Sequence, residues 1–229
     1  MLQETSYFLQ AEHLGKQVSS GDNLITILRD VNLTLKRGES VAILGASGSG
    51  KTTLLTILAG LDVPSTGTVY IHQQQINVLD EEQRARIRGR FVGFIFQSFQ
   101  LLPTLTALEN VMLPLEIQHV SHQKCKMEAT EWLHKVGLGQ RLHHYPLQLS
   151  GGEQQRVAIA RAFVTHPEII FADEMTGNLD THTGELVADI LFSLNQEQQT
   201  TLLLVTHDAS LASRCQRRLT LHDGVLVPC

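Results

Sequence analysis

Between Gly45 and Thr53 the chain reads G-A-S-G-S-G-K-T-T, with glycines at 45, 48 and 50 and a lysine directly after the last. An anionic polyphosphate needs several main-chain N–H groups aimed inward, and glycines let a chain curl that tightly. The unpaired N–H groups of a helix beginning at Lys51 add donors and a partial positive charge. Lys51 then reaches the β- and γ-phosphates, and the Thr52 hydroxyl is a Mg²⁺ ligand. A plain glycine-rich turn with a surface lysine is the competing reading. The context decides against it, because a β-branched run (Val41 to Leu44) precedes the loop and an apolar-faced segment follows.

A second group of chemical residues follows the run Glu168-Ile-Ile-Phe-Ala172, which delivers Asp173 and Glu174. Paired carboxylates at the carboxyl end of a parallel strand sit where ligands of such sheets bind. Asp173 is suited to hold Mg²⁺ through water, and Glu174 to orient and deprotonate an attacking water. Gln97 ends the run Phe91 to Phe96, and His207 ends Thr201 to Val205. A lone histidine at a strand end is usually structural, but this one is expected on the same sheet edge as the carboxylates. Ser150 with Glu153 is a capping-box pattern before the helical run V-A-I-A-R-A-F-V, and Gly151 and Gly152 leave the backbone open to an anion. Asp180 is placed to cap the next helix, expected over residues 183–195.

The elements that must position these groups follow from periodicity. Short strands at Tyr7 to Leu14, Leu24 to Leu28, Val31 to Leu35 and Gly67 to Ile71 predict an antiparallel sheet beside the core. Residues 80–90 place acids first and arginines last, as a helix dipole favours. The piece S-F-Q-L-L-P-T-L-T-A-L-E-N-V-M-L-P-L settles into no single period and reads as a loop, then a short helix from about Thr106. Its apolar residues serve equally as internal packing or as a docking groove. From His122 to Val136, Cys125, Ala129, Trp132, Leu133 and Val136 share one helical face. Two last strands, Arg218 to Leu221 and Val225 to Val227, flank His222-Asp223-Gly224.

Bulk properties narrow the class. The 229 residues are 42% apolar, and 18 basic against 23 acidic side chains give a net charge of −5, with no basic stripe to favour nucleic acid. No run approaches the roughly 18 apolar residues that a membrane helix needs, and the first residues lack the pattern of an export signal. A cytosolic protein without regulatory extension is expected. Three scattered cysteines suit neither a disulfide framework nor a zinc site.

Taken in order, the phosphate loop, Gln97 after a strand, L-S-G-G-E-Q-Q-R (Leu149 to Arg156), Asp173-Glu174, G-N-L-D (Gly177 to Asp180) and T-H-D (Thr206 to Asp208) resemble the ATP-binding subunit of an ABC transporter over nearly the whole chain. The resemblance implies an α/β P-loop NTPase core of RecA type, residues 1–96 and 160–229, with an antiparallel β subdomain and an inserted helical subdomain over about 97–159. It implies ATP and Mg²⁺. Gly45, Ala46, Ser47, Gly48, Ser49, Gly50, Lys51, Thr52 and Thr53 would surround the phosphates; Thr52, Gln97 and Asp173 would hold the metal. Glu174 would be the general base, and His207 would contact the γ-phosphate. Ser150, Gly151, Gly152 and Asp180 would act on the ATP of the opposite subunit in a head-to-tail homodimer. The sequence F-Q-S-F-Q-L-L-P-T-L-T-A-L-E-N-V with G-N-L-D is similar to the lipoprotein-release and macrolide-export branch, and the chain as a whole to YbbA-type subunits. That branch implies an integral-membrane permease of FtsX/MacB-like type, docked near Phe99 to Leu115 on the cytoplasmic face of the inner membrane.

Two positions depart from the family pattern. Val18 stands where an aromatic residue often stacks on adenine, with Tyr7 and Phe8 as substitutes only if the fold brings them near. Met175 replaces the usual proline after the glutamate and is expected to loosen that turn. Two other classes share part of the pattern. A soluble ABC ATPase acting on DNA or ribosomes usually carries coiled coils or tandem cassettes, and a P-loop kinase or GTPase leaves L-S-G-G-E-Q-Q-R and His207 unexplained.

Overall fold

A computed structural model of the chain describes residues 7–21 and 23–229. The chain forms two compact units, one of residues 1–88 with 201–229, the other of residues 89–200.

In the first unit, β1 (Tyr7–Ser20) and β2 (Asn23–Lys36) form a long antiparallel hairpin, with β4 (Thr66–Ile71) on the other side of β1 and β5 (Gln74–Gln75) beyond it. The two short strands expected over residues 24–35 are therefore one. The apolar pattern shifts between Leu28 and Val31 because the hairpin carries a bulge there. His13 and Asp30 both take left-handed backbone angles (φ 51° and 50°). The His13 imidazole lies 2.6 Å from the Asp30 carboxylate, and the His13 N–H donates to Asn32 at 2.9 Å. Inserting one residue keeps Leu28, Val31, Leu33 and Leu35 all in the core.

β3 (Ser40–Leu44) pairs in parallel with β8 (Thr201–Thr206) and β9 (Arg217–His222), and β10 (Val225–Pro228) returns antiparallel to β9. Every residue of β8 is buried, as near-continuous apolar strands are when both faces of a parallel sheet are covered. α1 (Lys51–Leu58) follows the glycine-rich loop and buries Leu54, Leu55, Ile57 and Leu58. The short α7 (Ala209–Ser213) follows β8.

α2 (Glu81–Phe91) leads into the second unit, where β6 (Val92–Ile95) and β7 (Ile169–Asp173) pair in parallel. Around this pair the unit has α3 (Ala107–Ile117), α4 (His122–Lys135), a 3-10 turn (Pro146–Gln148), α5 (Gly151–Phe163) and α6 (Thr181–Gln198). Trp132 is buried against Phe163, ring centroids 5.6 Å apart, on the face of α4 that carries Cys125, Ala129 and Leu133. The segment without a single period resolves at Thr106, whose hydroxyl caps α3 in a reciprocal box with Glu109. Pro114 sits inside α3 and forfeits one intrahelical bond. Ala107, Leu108, Val111, Met112 and Leu115 are buried on that helix and hold it against the loss. Most of this apolar stretch is thus internal packing, whereas Leu102 within it and Ile117 just beyond it remain exposed.

Candidate functional site

The first unit builds a phosphate cradle. Gly48 and Gly50 take φ of 79° and 96°, which only glycine adopts at little cost. A Cβ at Gly45 would stand 2.7 Å from the Leu221 carbonyl oxygen and from Ser49 Oγ, so the loop closes without room for a side chain there. Lys51 is 5% exposed, and its ammonium donates to the Gly45 and Ala46 carbonyls at 3.0 and 2.9 Å. The cation is thereby folded back over the loop it follows. Gly50 caps α1 without a side-chain acceptor, while α3, α5, α6 and α7 each carry one. Ser49 Oγ is buried and has no hydrogen-bond partner among the described residues. Open first-turn N–H groups, an orphaned hydroxyl and a held ammonium suit a polyphosphate. Ala46, Ser47, Gly48 and Thr52 are exposed and Thr53 half-buried, so the loop's outer face is open to a ligand.

At the end of β8 in the same unit, His207 is exposed. Its neighbours fix the bend. Thr206 Oγ1 accepts from the Asp208 N–H at 3.0 Å, and Asp208 caps α7 by accepting from the Ser210 and Leu211 N–H groups. T-H-D is therefore a histidine held between two local hydrogen-bonding residues.

Val18 lies near the tip of the hairpin, directly opposite Ile25, and both are partly exposed (37% and 48%). Ile27, farther along β2, would meet a Cβ at Gly50 at 2.9 Å, which sets this strand beside the start of α1. Neither Tyr7 nor Phe8 substitutes for an aromatic residue at 18. Ten residues of strand separate Phe8 from Val18, about 30 Å at roughly 3.3 Å per residue. Phe8 is moreover buried, with Arg37 over its ring.

The second unit carries the carboxylates. Asp173 ends β7, and Glu174 follows with φ 42°, a left-handed conformation that costs a non-glycine residue about 1 kcal/mol. Two features hold it there. Met175 is fully buried, and the Gly177 N–H donates to the Glu174 carbonyl at 2.8 Å. Met175, with its long unbranched side chain, fills the core beneath the turn. Gln97, just beyond β6, is tied to the same turn: Asn178 Nδ2 donates to the Gln97 carbonyl at 2.9 Å, and Gln97 Nε2 lies 3.4 Å from Asn178 Oδ1. Sequence reasoning passed over Asn178, although an asparagine in a turn between glycine and a helix cap was the available signal.

Ser150 caps α5 in the expected box, accepting from the Glu153 N–H at 3.3 Å while Glu153 accepts from the Ser150 N–H at 2.8 Å. The Ser150 N–H is the main reason the Glu153 carboxyl is held below the usual range. Gly151 is half-buried, and a Cβ there would lie 3.3 Å from Leu179. Gly152 is buried, and a Cβ would collide with the Thr183 methyl. At 152 the glycine is thus demanded by the close approach of α5 to α6, a reason beyond open backbone. Asp180 is exposed and caps α6, accepting from the Thr183 N–H at 3.0 Å. Hydrogen bonds from the Thr183 side chain and then its N–H lower the Asp180 carboxyl.

Comparison with known proteins agrees with this geometry. The family model described as ABC transporter matches residues 28–177. The chain is 54% identical over 218 residues, 95% of its length and 96% of the relative's, to YbbA of Escherichia coli, described as an uncharacterized ABC transporter ATP-binding protein. It is 48% identical over 225 residues, 98% of its length and 97% of the relative's, to the lipoprotein-releasing system ATP-binding protein LolD of Bordetella pertussis. A dimeric, post-hydrolysis structure of the ATP-binding cassette MJ0796 bound to ADP and Pi superposes with a TM-score of 0.89 at 43% identity, covering 95% of this chain and 96% of that one. A phosphate loop, a β subdomain and a helical insertion are what an ABC ATPase fold requires, and the chain belongs to the ABC transporter family as an ATP-binding subunit and ATPase.

Proposed function

We propose that the protein is the ATPase half of a membrane complex, closing as a homodimer around two ATP molecules to drive a permease of FtsX/MacB-like type from the cytoplasmic face of the inner membrane. The observation that carries the chemistry is the cradle at 45–53, with its uncapped helix start and folded-back ammonium. In this reading residues 45–53 bind the phosphates and Val18 contacts the base. Thr52, Gln97 and Asp173 are the oxygen donors that fit Mg²⁺, a hard cation whose charge would offset that of the phosphates. Glu174 takes the proton of the attacking water, and His207 contacts the γ-phosphate. Ser150, Gly151, Gly152 and Asp180 engage the nucleotide of the second subunit. We assign the helical subdomain to about 97–159 and the nucleotide core to 1–96 with 160–229.

ATP favours the closed dimer to the extent that it binds that state more tightly, and loss of the γ-phosphate removes the preference. The dimeric state of the MJ0796 cassette supports this arrangement, and the name of the lipoprotein-releasing relative supports a permease partner. We assign the docking surface for that partner to the second unit. A cavity of about 320 Å³ is lined by Phe94, Leu113, Pro114, Ile117 and Arg161, and overlaps the stretch Phe99 to Leu115. Among the described residues no helix is long and apolar enough to cross a membrane.

The test is Glu174→Gln. Removing a general base lowers kcat by at least about 10²-fold while ATP binding stays intact, and the variant elutes as a dimer in ATP by size exclusion. Turnover equal to the unaltered protein would assign the base to another residue.

A further inference from the structure

Gln97 opens a loop whose backbone is unusual. Phe99 and Gln100 both take left-handed angles, φ 59° and 49°, two consecutive non-glycine residues in a region that side chains disfavour. One side chain holds both. Arg161, in the last turn of α5, donates from Nη2 to the Phe99 carbonyl at 2.8 Å and from Nη1 to the Gln100 carbonyl at 2.5 Å. Among the described residues its acceptors are these two carbonyls, with no carboxylate beside them. Burying part of a cation is costly unless its N–H groups are hydrogen-bonded, and here the two main-chain carbonyls supply those bonds. Burial pulls Arg161 below the usual guanidinium value, as expected for a charge so placed. The same arginine lines the cavity formed with Leu113, Pro114 and Ile117.

The downstream end of the loop is fixed too. Asn110, fully buried on α3, donates to the Leu102, Leu105 and Thr106 carbonyls and accepts from the Leu102 N–H at 2.8 Å. With Asn178 on Gln97, the span from 97 to 106 is pinned at three points. Asn110 and Asn178 act at its ends; among the described residues Arg161 is the side chain that grips its strained middle.

We propose that Arg161 is a positioning residue for Gln97: its fork fixes the Phe99 and Gln100 carbonyls, and through them the direction in which the loop presents the Gln97 amide. The inference rests on the proposed reading of Gln97 as a contact of the metal. It predicts a defect in turnover rather than in nucleotide binding, because the phosphate-binding residues 45–53 lie elsewhere in the chain.

The experiment is a double-mutant cycle on the full chain, with steady-state ATPase, nucleotide affinity and thermal midpoint measured for each protein. Arg161→Gln lowers kcat on the order of tenfold or more, as misplacement of a reacting group does, with ATP affinity within about twofold. Arg161→Lys, which retains the charge and can bond one carbonyl, recovers part of the loss and separates positioning from a failure to fold. Gln97→Ala added to Arg161→Gln costs little more than either change alone, since both remove one function. Additive losses, or a fall in kcat that follows the thermal midpoint alone, would overturn the proposal. Unchanged kcat in Gln97→Ala alone would overturn the reading of Gln97 and this inference with it.

Discussion

Position 18 shows how one side chain adjusts a shared design. Val18 and Ile25 face each other across the hairpin, both partly exposed, and in the proposed reading they would offer a base two aliphatic surfaces where an aromatic ring would stack. A ring adds about 1 kcal/mol beyond its buried area. Val18→Tyr is therefore expected to tighten ATP about fivefold and raise the ratio of ATP to GTP affinity, measured by competition against a fluorescent nucleotide. Unchanged affinities for both nucleotides would place the base away from this strand pair. The carboxylate end shows the opposite balance. Glu174 sits in a left-handed conformation, which Met175 sustains by burying its whole side chain. The sequence exposed the substitution at 175, but the conformation at 174 depends on what lies beneath, which spacing does not report.

Among the elements, the approach of α5 to α6 explains more than the capping pattern does. The Ser150–Glu153 box was legible because capping is local, a matter of residues three apart. The collision awaiting a Cβ at Gly152 was not, because Thr183 is 31 positions away in sequence. Gly152→Ala is expected to lower stability by about 1–3 kcal/mol through overpacking, measured as a shift in the denaturant midpoint. Thr183→Ser removes the offending methyl and keeps the hydroxyl that holds Asp180, so the double variant regains most of that stability. ATPase activity then separates two demands on this glycine. Activity that returns with stability makes packing its whole purpose, whereas activity that stays lost assigns the bare backbone to nucleotide. The long hairpin is the other element that periodicity misread, since one bulge at His13 and Asp30 looks in sequence like the gap between two strands.

At the scale of the molecule, the order of motifs carried the function because each is a short run with its own chemistry. The docking surface was undecided because an apolar residue on α3 reads alike whether it packs inward or outward. Val111, Met112 and Leu115 are core, while Ile117 is 69% exposed and lines the cavity that we propose as the docking surface. An exposed apolar residue on a cavity wall contributes little to the fold, so Ile117→Glu is expected to keep the thermal midpoint. A carboxylate placed within the proposed apolar contact is costly to desolvate. In a pull-down of tagged Glu174→Gln protein with ATP from detergent-solubilised membranes of its own organism, a multi-spanning permease is expected to co-purify. Adding Ile117→Glu is expected to cut that recovery about tenfold. Equal recovery from both would move the contact off this cavity while leaving the permease reading intact. Ribosomal proteins or nucleic acid in place of any membrane protein would instead sink that reading, and with it the assignment of the cavity to a membrane partner.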